Sequence, residues 1–178
     1  MSTAMTIPGL ATARLRLRAF RAADLDAFAA MHADPVVMRH LGAGQVRTRA
    51  ETWGAMERFL GQWALRGYGM FAVEDMAGRF VGRAGVLHPL EWSEPELAYA
   101  LVRPAWGSGL ATEAATAIRD WAFSSFAFPR LASFIRPDNA ASIRVVARMG
   151  AVRETTVTLL GGPAELWVHY RPGSGPVA

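Results

Sequence analysis

The chain has 178 residues, of which 52% are hydrophobic and 19% charged, enough length and apolar content for a compact core and too much for a disordered polypeptide. It contains no cysteine, which excludes disulfides, thiolate metal sites and a cysteine nucleophile. All 19 basic residues are arginine and the formal net charge is +4; a Schiff-base lysine and a P-loop lysine are therefore excluded, while an anionic partner is favoured.

Ala13 to Phe20 sets Arg14, Arg16 and Arg18 against Leu15, Leu17 and Ala19. This alternation predicts a strand with one wet face. Arg21 to Ala33 reads as a helix with Leu25 and Phe28 on one side, ended by Asp34-Pro35 because a residue before proline avoids helical angles. Val36 to Leu41 leads into Gly42-Ala43-Gly44. Thr48 and Glu51 form a capping box for a long helix with Trp53, Met56, Leu60 and Trp63 as its apolar stripe, ending at Gly67. Tyr68 to Glu74 and Arg79 to Leu87 read as a hairpin around Asp75 to Gly78. Glu96 to Val102 is a further strand, stopped by Pro104. Leu110 to Phe126 is a helix with Ala114, Ile118, Trp121 and Ala122 inside and Glu113 outside. Leu131 to Arg136 is a strand, Asn139 to Met149 a short helix closed by Gly150, and Val152 to Leu160 and Ala164 to Tyr170 a last hairpin.

The elements thus mix α and β without an internal repeat or linker. A single domain is expected over residues 1–171, with residues 172–178 as a frayed tail. No apolar run has the length of a membrane span, and Met1 to Leu10 lacks a basic start followed by an apolar stretch. With no cysteine, these features fit a cytoplasmic protein that does not enter the membrane. The arginines are spread over nearly every element rather than gathered with aromatics, so no nucleic-acid partner is expected.

The chemistry concentrates in strand, loop and helix from Leu97 through Ala114. A helix opening from a glycine loop leaves its first-turn N–H groups unpaired, and with the helix dipole these make an anion site. Gly107 and Gly109 would let a phosphate approach the backbone, and Thr112 could add a hydroxyl. Such a loop needs no lysine. Arg136-Pro137-Asp138-Asn139-Ala140-Ala141-Ser142 follows the next strand and opens the next helix, where Asn139 and Ser142 share a face or cap.

Trp106-Gly107-Ser108-Gly109-Leu110-Ala111-Thr112-Glu113-Ala114 resembles the acetyl-coenzyme A loop of the GNAT superfamily of N-acetyltransferases, in the branch of the ribosomal-protein N-terminal (Rim-type) acetyltransferases. Pro137 to Arg144 with Met149-Gly150-Ala151, the opening Thr12 to Arg18, and Asp34 to Arg39 are similar to further motifs of that branch. The superfamily loop usually begins with Gln or Arg where this protein has Trp106. The resemblance implies an α+β fold: a mixed, mostly antiparallel sheet of about seven strands with helices on both faces. It implies acetyl-CoA as co-substrate, no metal, and an amine acceptor, either a protein N-terminus or a small molecule.

It also implies cofactor contacts from Leu101 and Val102 to the pantetheine arm, from Gly107, Ser108, Gly109, Leu110, Ala111 and Thr112 to the pyrophosphate, and from Asn139 on the other side. Attack by a neutral amine requires a base. Glu96 is the candidate, because it shares a strand face with small Ala98 and Ala100; Glu94, Glu165 and His88 are alternatives, and Ser142 would protonate the leaving thiolate. Tyr99 alternates with Leu97 and Leu101 and is expected in the core. Met38, Arg39, His40, Gly42, Trp53 and Trp167 are candidate acceptor lining. A non-catalytic acetyl-CoA sensor would keep the loop and lack the base. A homodimer is the default assembly.

Overall fold

The computed structural model describes residues 6–175. Residues 1–5 and the last three residues of the expected tail lie outside the described residues. In sequence order the elements are β1 (Leu10–Ala11), β2 (Leu15–Arg18), α1 (Leu25–Ala33), α2 (Pro35–Met38), α3 (Arg49–Arg66), β3 (Met70–Asp75), β4 (Phe80–Leu87), β5 (Glu96–Leu101), α4 (Leu110–Ser125), β6 (Arg130–Ile135), α5 (Ala140–Arg148), β7 (Val152–Leu159) and β8 (Gly162–Tyr170). Short 3₁₀ turns at Ala22–Asp24 and Arg103–Ala105 precede α1 and α4.

The strands form one eight-stranded sheet in the order β1-β2-β3-β4-β5-β6-β8-β7. Neighbours are antiparallel except β5 and β6, which run parallel and pair only at Glu96 and Ala132. Alternate residues of the central strands bury opposite faces. Phe71 and Val73 of β3 pack with Ala114, Ala115, Ile118 and Ala122 of α4. Met70 and Ala72 pack with Phe28 and Met31 of α1 and with Ala55, Met56 and Phe59 of α3. Helices therefore cover both faces. None among the described residues is long and apolar enough to cross a membrane.

Local signals in the sequence map onto the helix ends. Thr48 caps α3 by accepting from the Glu51 N–H, and the Glu51 carboxylate accepts from the Thr48 N–H at 2.7 Å. Gly67 ends that helix at φ 74°, an angle glycine adopts without a Cβ clash. Asp34 ends α1 and caps the short α2, accepting from the Val36 N–H.

Two expectations need correction. The buried stripe of α3 is Thr52, Ala55, Met56, Phe59 and Trp63, whereas Trp53 is 40% exposed and donates to Glu57. The arginines of β2 are not a uniform wet face. Arg18 is only 15% exposed and binds both oxygens of Asp24 at 2.8 Å and Glu74 at 2.7 Å. Arg14 binds Glu113, so that glutamate does not simply face outward.

Gly82 of β4 lies opposite Leu101 at the end of β5, with φ of 152°. A Cβ there would fall 2.7 Å from Leu101 Cα and closer still to the Ala100 carbonyl oxygen. The Gly82→Ala substitution should therefore lower unfolding free energy by about 1–3 kcal/mol through overpacking against backbone. The check is urea denaturation, where an unchanged midpoint would refute the close approach.

Candidate active site

The singular feature of the sheet is that β5 and β6 part after one residue pair. The last ties are the Ala132 N–H to Pro95 C=O bond and the Ser133 hydroxyl to Leu97 C=O bond, both 2.9 Å. His169 Nε2 lies 3.2 Å from that hydroxyl and fixes it from β8. On the other edge of β5, Val102 donates to Val81, so the even-numbered residues of β5 bond to β4 and the N–H groups of Tyr99 and Leu101 turn toward the gap. The gap opens into a cleft of about 820 Å³.

At the cleft floor lies Glu96, in the first position of β5. Its carboxylate has a single long hydrogen bond, from the Phe134 N–H at 3.4 Å. It retains some surface, but that surface faces the cleft and protein closes around it. Burial raises its pKa from 4.5 to about 7, opposed by the Phe134 N–H and the Arg83 charge. Tyr99 packs against the core as expected and also lines the cleft; its hydroxyl donates to the Ser142 C=O at 3.3 Å. Burial, and secondarily the Glu96 charge, raises its pKa, so the phenol stays protonated.

The remaining base candidates are occupied or elsewhere. Glu94 is paired with Arg130 at 2.5 Å, and Glu165 with Arg153 at 3.0 Å. His88 lines the cleft, but Nδ1 faces the Tyr68 hydroxyl at 2.8 Å and Nε2 faces the Trp92 C=O at 3.2 Å. Burial and nearby Arg66 lower its pKa.

Asn139 and Ser142 stand on the opposite wall at the start of α5, and both line the cleft. Asn139 caps α5 through the Ser142 N–H at 3.2 Å. Of the sequence-based acceptor lining, His40 and Gly42 are present. Met38 is buried in the core, Arg39 pairs with Asp138, and Trp167 bonds to Glu165. Sequence reasoning missed Trp92, Phe134 and a set of arginines on the same walls: Arg47, Arg58, Arg66, Arg83 and Arg136.

Beyond the end of β5 the loop turns at Gly107 and Gly109, at φ 75° and 82°. The first hydrogen bond of α4 runs from the Glu113 N–H to the Gly109 C=O. Among the described residues no protein acceptor meets the N–H groups of Gly107, Ser108, Gly109, Leu110, Ala111 or Thr112, and the buried Thr112 hydroxyl is also unpartnered. A run of unmet donors at a helix N-terminus fits a pyrophosphate.

Other groups of this segment are engaged. The Ser108 hydroxyl donates to the Ala105 C=O. The Trp106 indole donates to the Leu101 C=O at 2.9 Å, so this residue secures the end of β5 from inside. Val102 has its N–H on Val81 and its C=O on Ala105, whereas the N–H groups of Leu101 and Tyr99 face the gap. Arg14 fixes the loop by donating to the Ser108 C=O at 2.8 Å and to Glu113 at 2.7 Å, and Thr12 adds a 2.6 Å bond to Glu113.

Residues 14–152 match the family model described as acetyltransferase (GNAT) domain. The chain belongs to the GNAT acetyltransferase family. It is 29% identical over 164 residues to the uncharacterized protein YkkB of Bacillus subtilis (strain 168), covering 89% of this chain and 93% of that one. It resembles the crystal structure of an acetyltransferase from Agrobacterium tumefaciens str. C58 with TM-score 0.83 and 30% identity, over 96% of this chain and 98% of that one. The fold is also that of Mycobacterium smegmatis RimJ, solved in complex with CoA-disulfide, with TM-score 0.76 and 19% identity over 89% of this protein and 83% of that one. Rim-type acetyltransferases are thus among the structural neighbours of this GNAT protein.

The raised pKa of Glu96 has a consequence for stability. An acid whose folded pKa exceeds its unfolded pKa binds more protons when folded, so it costs stability as pH rises between the two values. For Glu96 that window is from 4.5 to about 7. The Glu96→Gln variant should match the parent near pH 4 and exceed it in stability at pH 8. Melting temperatures across that range check this, and a constant difference would refute the desolvated carboxylate.

Proposed function

We propose that this GNAT protein transfers an acetyl group from acetyl-coenzyme A to a primary amine by direct attack within a ternary complex. The observation that carries the reading is the desolvated carboxylate of Glu96 at the mouth of the β5–β6 gap, its pKa moved to about 7. A base poised near the working pH suits removal of an ammonium proton. A sensor that only bound the co-substrate would have no use for it.

The unmet N–H groups from Gly107 to Thr112 and the Thr112 hydroxyl would hold the pyrophosphate of acetyl-coenzyme A, and the backbone of Tyr99 and Leu101 would align its pantetheine arm. When bound, that molecule supplies an activated acyl thioester. Glu96 accepts the proton of the incoming amine, directly or through one water. A β5 N–H facing the gap stabilises negative charge developing on the carbonyl oxygen. Ser142, on the α5 wall, donates its hydroxyl proton to the departing sulfur and is reprotonated by the second proton that the newly acylated nitrogen sheds, directly or through water. Its hydroxyl serves as donor while its backbone carbonyl is held by Tyr99. Asn139 acts through the α5 cap that sets the Ser142 position.

Two substitutions test the reading. Gly109→Trp should fill the amide cradle and weaken acetyl-coenzyme A binding by at least about 10-fold, with circular dichroism unchanged; unaltered affinity by calorimetry would remove the loop from cofactor binding. Ser142→Ala should lower kcat by roughly 10- to 100-fold with little change in acetyl-coenzyme A affinity, a loss within the range of general-acid contributions. Equal turnover would take Ser142 out of the mechanism. Steady-state thiol release measures it.

A further inference from the structure

Many arginines outside the cleft are matched to carboxylates, as Arg14 is to Glu113 and Arg79 to Asp75. Arg83, Arg58 and Arg47 line the cleft instead, and among the described residues none of them has a carboxylate within ion-pair distance.

Arg83 is the informative member. It sits on β4 opposite Ala100, so its side chain shares the sheet face of Ala100 and Glu96. Its guanidinium carbon lies 5.6 Å from the Phe59 ring centroid. Nε and Nη1 are shut off from solvent without any hydrogen-bond partner. Nη2 also has no protein partner and is the nitrogen left open to the cleft. A desolvated guanidinium with unmet donors is costly, because it has given up water without gaining a hydrogen bond at Nε or Nη1. Burial lowers its pKa to about 10, with Glu96 opposing and Arg47 adding to the effect. Arg47 in turn is lowered by burial and by Arg58, with Glu51 opposing. Three like charges are thus held together where their common relief is an anion.

That anion is not the co-substrate's diphosphate. The amide cradle lies beyond the other end of β5, and none of its residues from Gly107 to Thr112 lines the cleft that holds Arg83. Nη2, the guanidinium nitrogen open to the cleft, can donate a charge-assisted hydrogen bond to an oxygen of a carboxylate or phosphate.

We propose that the acceptor amine carries an anionic oxygen group, a carboxylate or a phosphate, which docks on Arg83 with Arg58 and Arg47 around it. The proposal rests on the acetyl-transfer reading and names the acceptor class for that site. Arg83 anchors the acceptor from the α3 face while Glu96 receives the proton of its amine.

The test compares amines that differ only in the anion: lysine against cadaverine, and glucosamine 6-phosphate against glucosamine. The expected result is a kcat/KM at least about 10-fold higher for the anionic member of one pair, by thiol release. The pair that responds tells carboxylate from phosphate. Arg83→Gln should bring that ratio close to one, because it removes the cation that both anchors the anion and acts on Glu96. Arg58→Gln, on an exposed position of α3, should reduce the ratio too and serves if Arg83→Gln does not fold. Arg79→Gln should leave it unchanged.

A second readout is calorimetry of succinate and inorganic phosphate added to protein saturated with coenzyme A. Binding should be at least about 10-fold weaker in Arg83→Gln and Arg58→Gln than in the parent. Parity within both amine pairs overturns the proposal, as does a preference that both variants retain. Should no amine release thiol, the acetyl-transfer reading fails. Calorimetry then decides the anion site alone: binding lost in the variants supports it, and no binding refutes it.

Discussion

The rest of the molecule is arranged around the point where β5 and β6 cease to pair. A parallel ladder that stopped there in the interior of a sheet would strand backbone donors and acceptors. Here one residue pair, Glu96 with Ala132, is followed by a side-chain tie from Ser133 to Leu97. Beyond it the free edge of β5 can pair with an extended ligand in the manner of an added strand. The same parting opens the cleft that contains Glu96, and it brings the loop after β5 to the N-terminus of α4. One topological event therefore sets the positions of a desolvated carboxylate, a backbone edge and a run of unmet amides.

Charge is distributed to hold that arrangement. Arg14 and Thr12, near the start of the protein, bind Glu113 in the first turn of α4. Arg39 reaches Asp138 in the loop before α5, and Arg103 after β5 reaches Asp34 before α2. These exposed or half-exposed pairs contribute little stability one by one. Their common placement across loops that frame the cleft makes their role one of register: each joins distant segments at a place where a shift would misalign the cradle or the walls. Trp106 does related work through an indole bond to the Leu101 carbonyl. That gives the tryptophan at this loop position a structural role.

What the sequence made legible was local. The Thr48–Glu51 box, the glycine stops and the helix opening after Gly109 each depend on residues within a turn of one another, and each is where the pattern puts it. Glu96 could be singled out because small Ala98 and Ala100 follow it on its face. The shortfalls came from interactions with no local trace. The α3 stripe was phased on its large aromatics, while the core took the smaller Thr52 and Ala55 and left Trp53 outside. The Arg14 and Arg18 partners are separated from them in sequence, so alternation alone suggested solvent. Tyr99 alternates like a core residue, and no periodicity can distinguish a core wall from a cleft wall. The cleft arginines come from a loop, α3 and β4, and only the folded sheet brings them together.

Arg83 joins the two halves of the chemistry. Its charge is one of the influences that hold the Glu96 pKa down against burial, and it is the group with unmet donors facing the same cleft. An oxyanion seated on the guanidinium would offset that charge, and the carboxylate nearby would become more basic as a result. In the proposed reaction, arrival of an anionic acceptor would then make Glu96 a stronger base toward its amine, while a neutral amine would meet a weaker one. Specificity and proton transfer would share a single charge, an economy available only because burial keeps water from screening it.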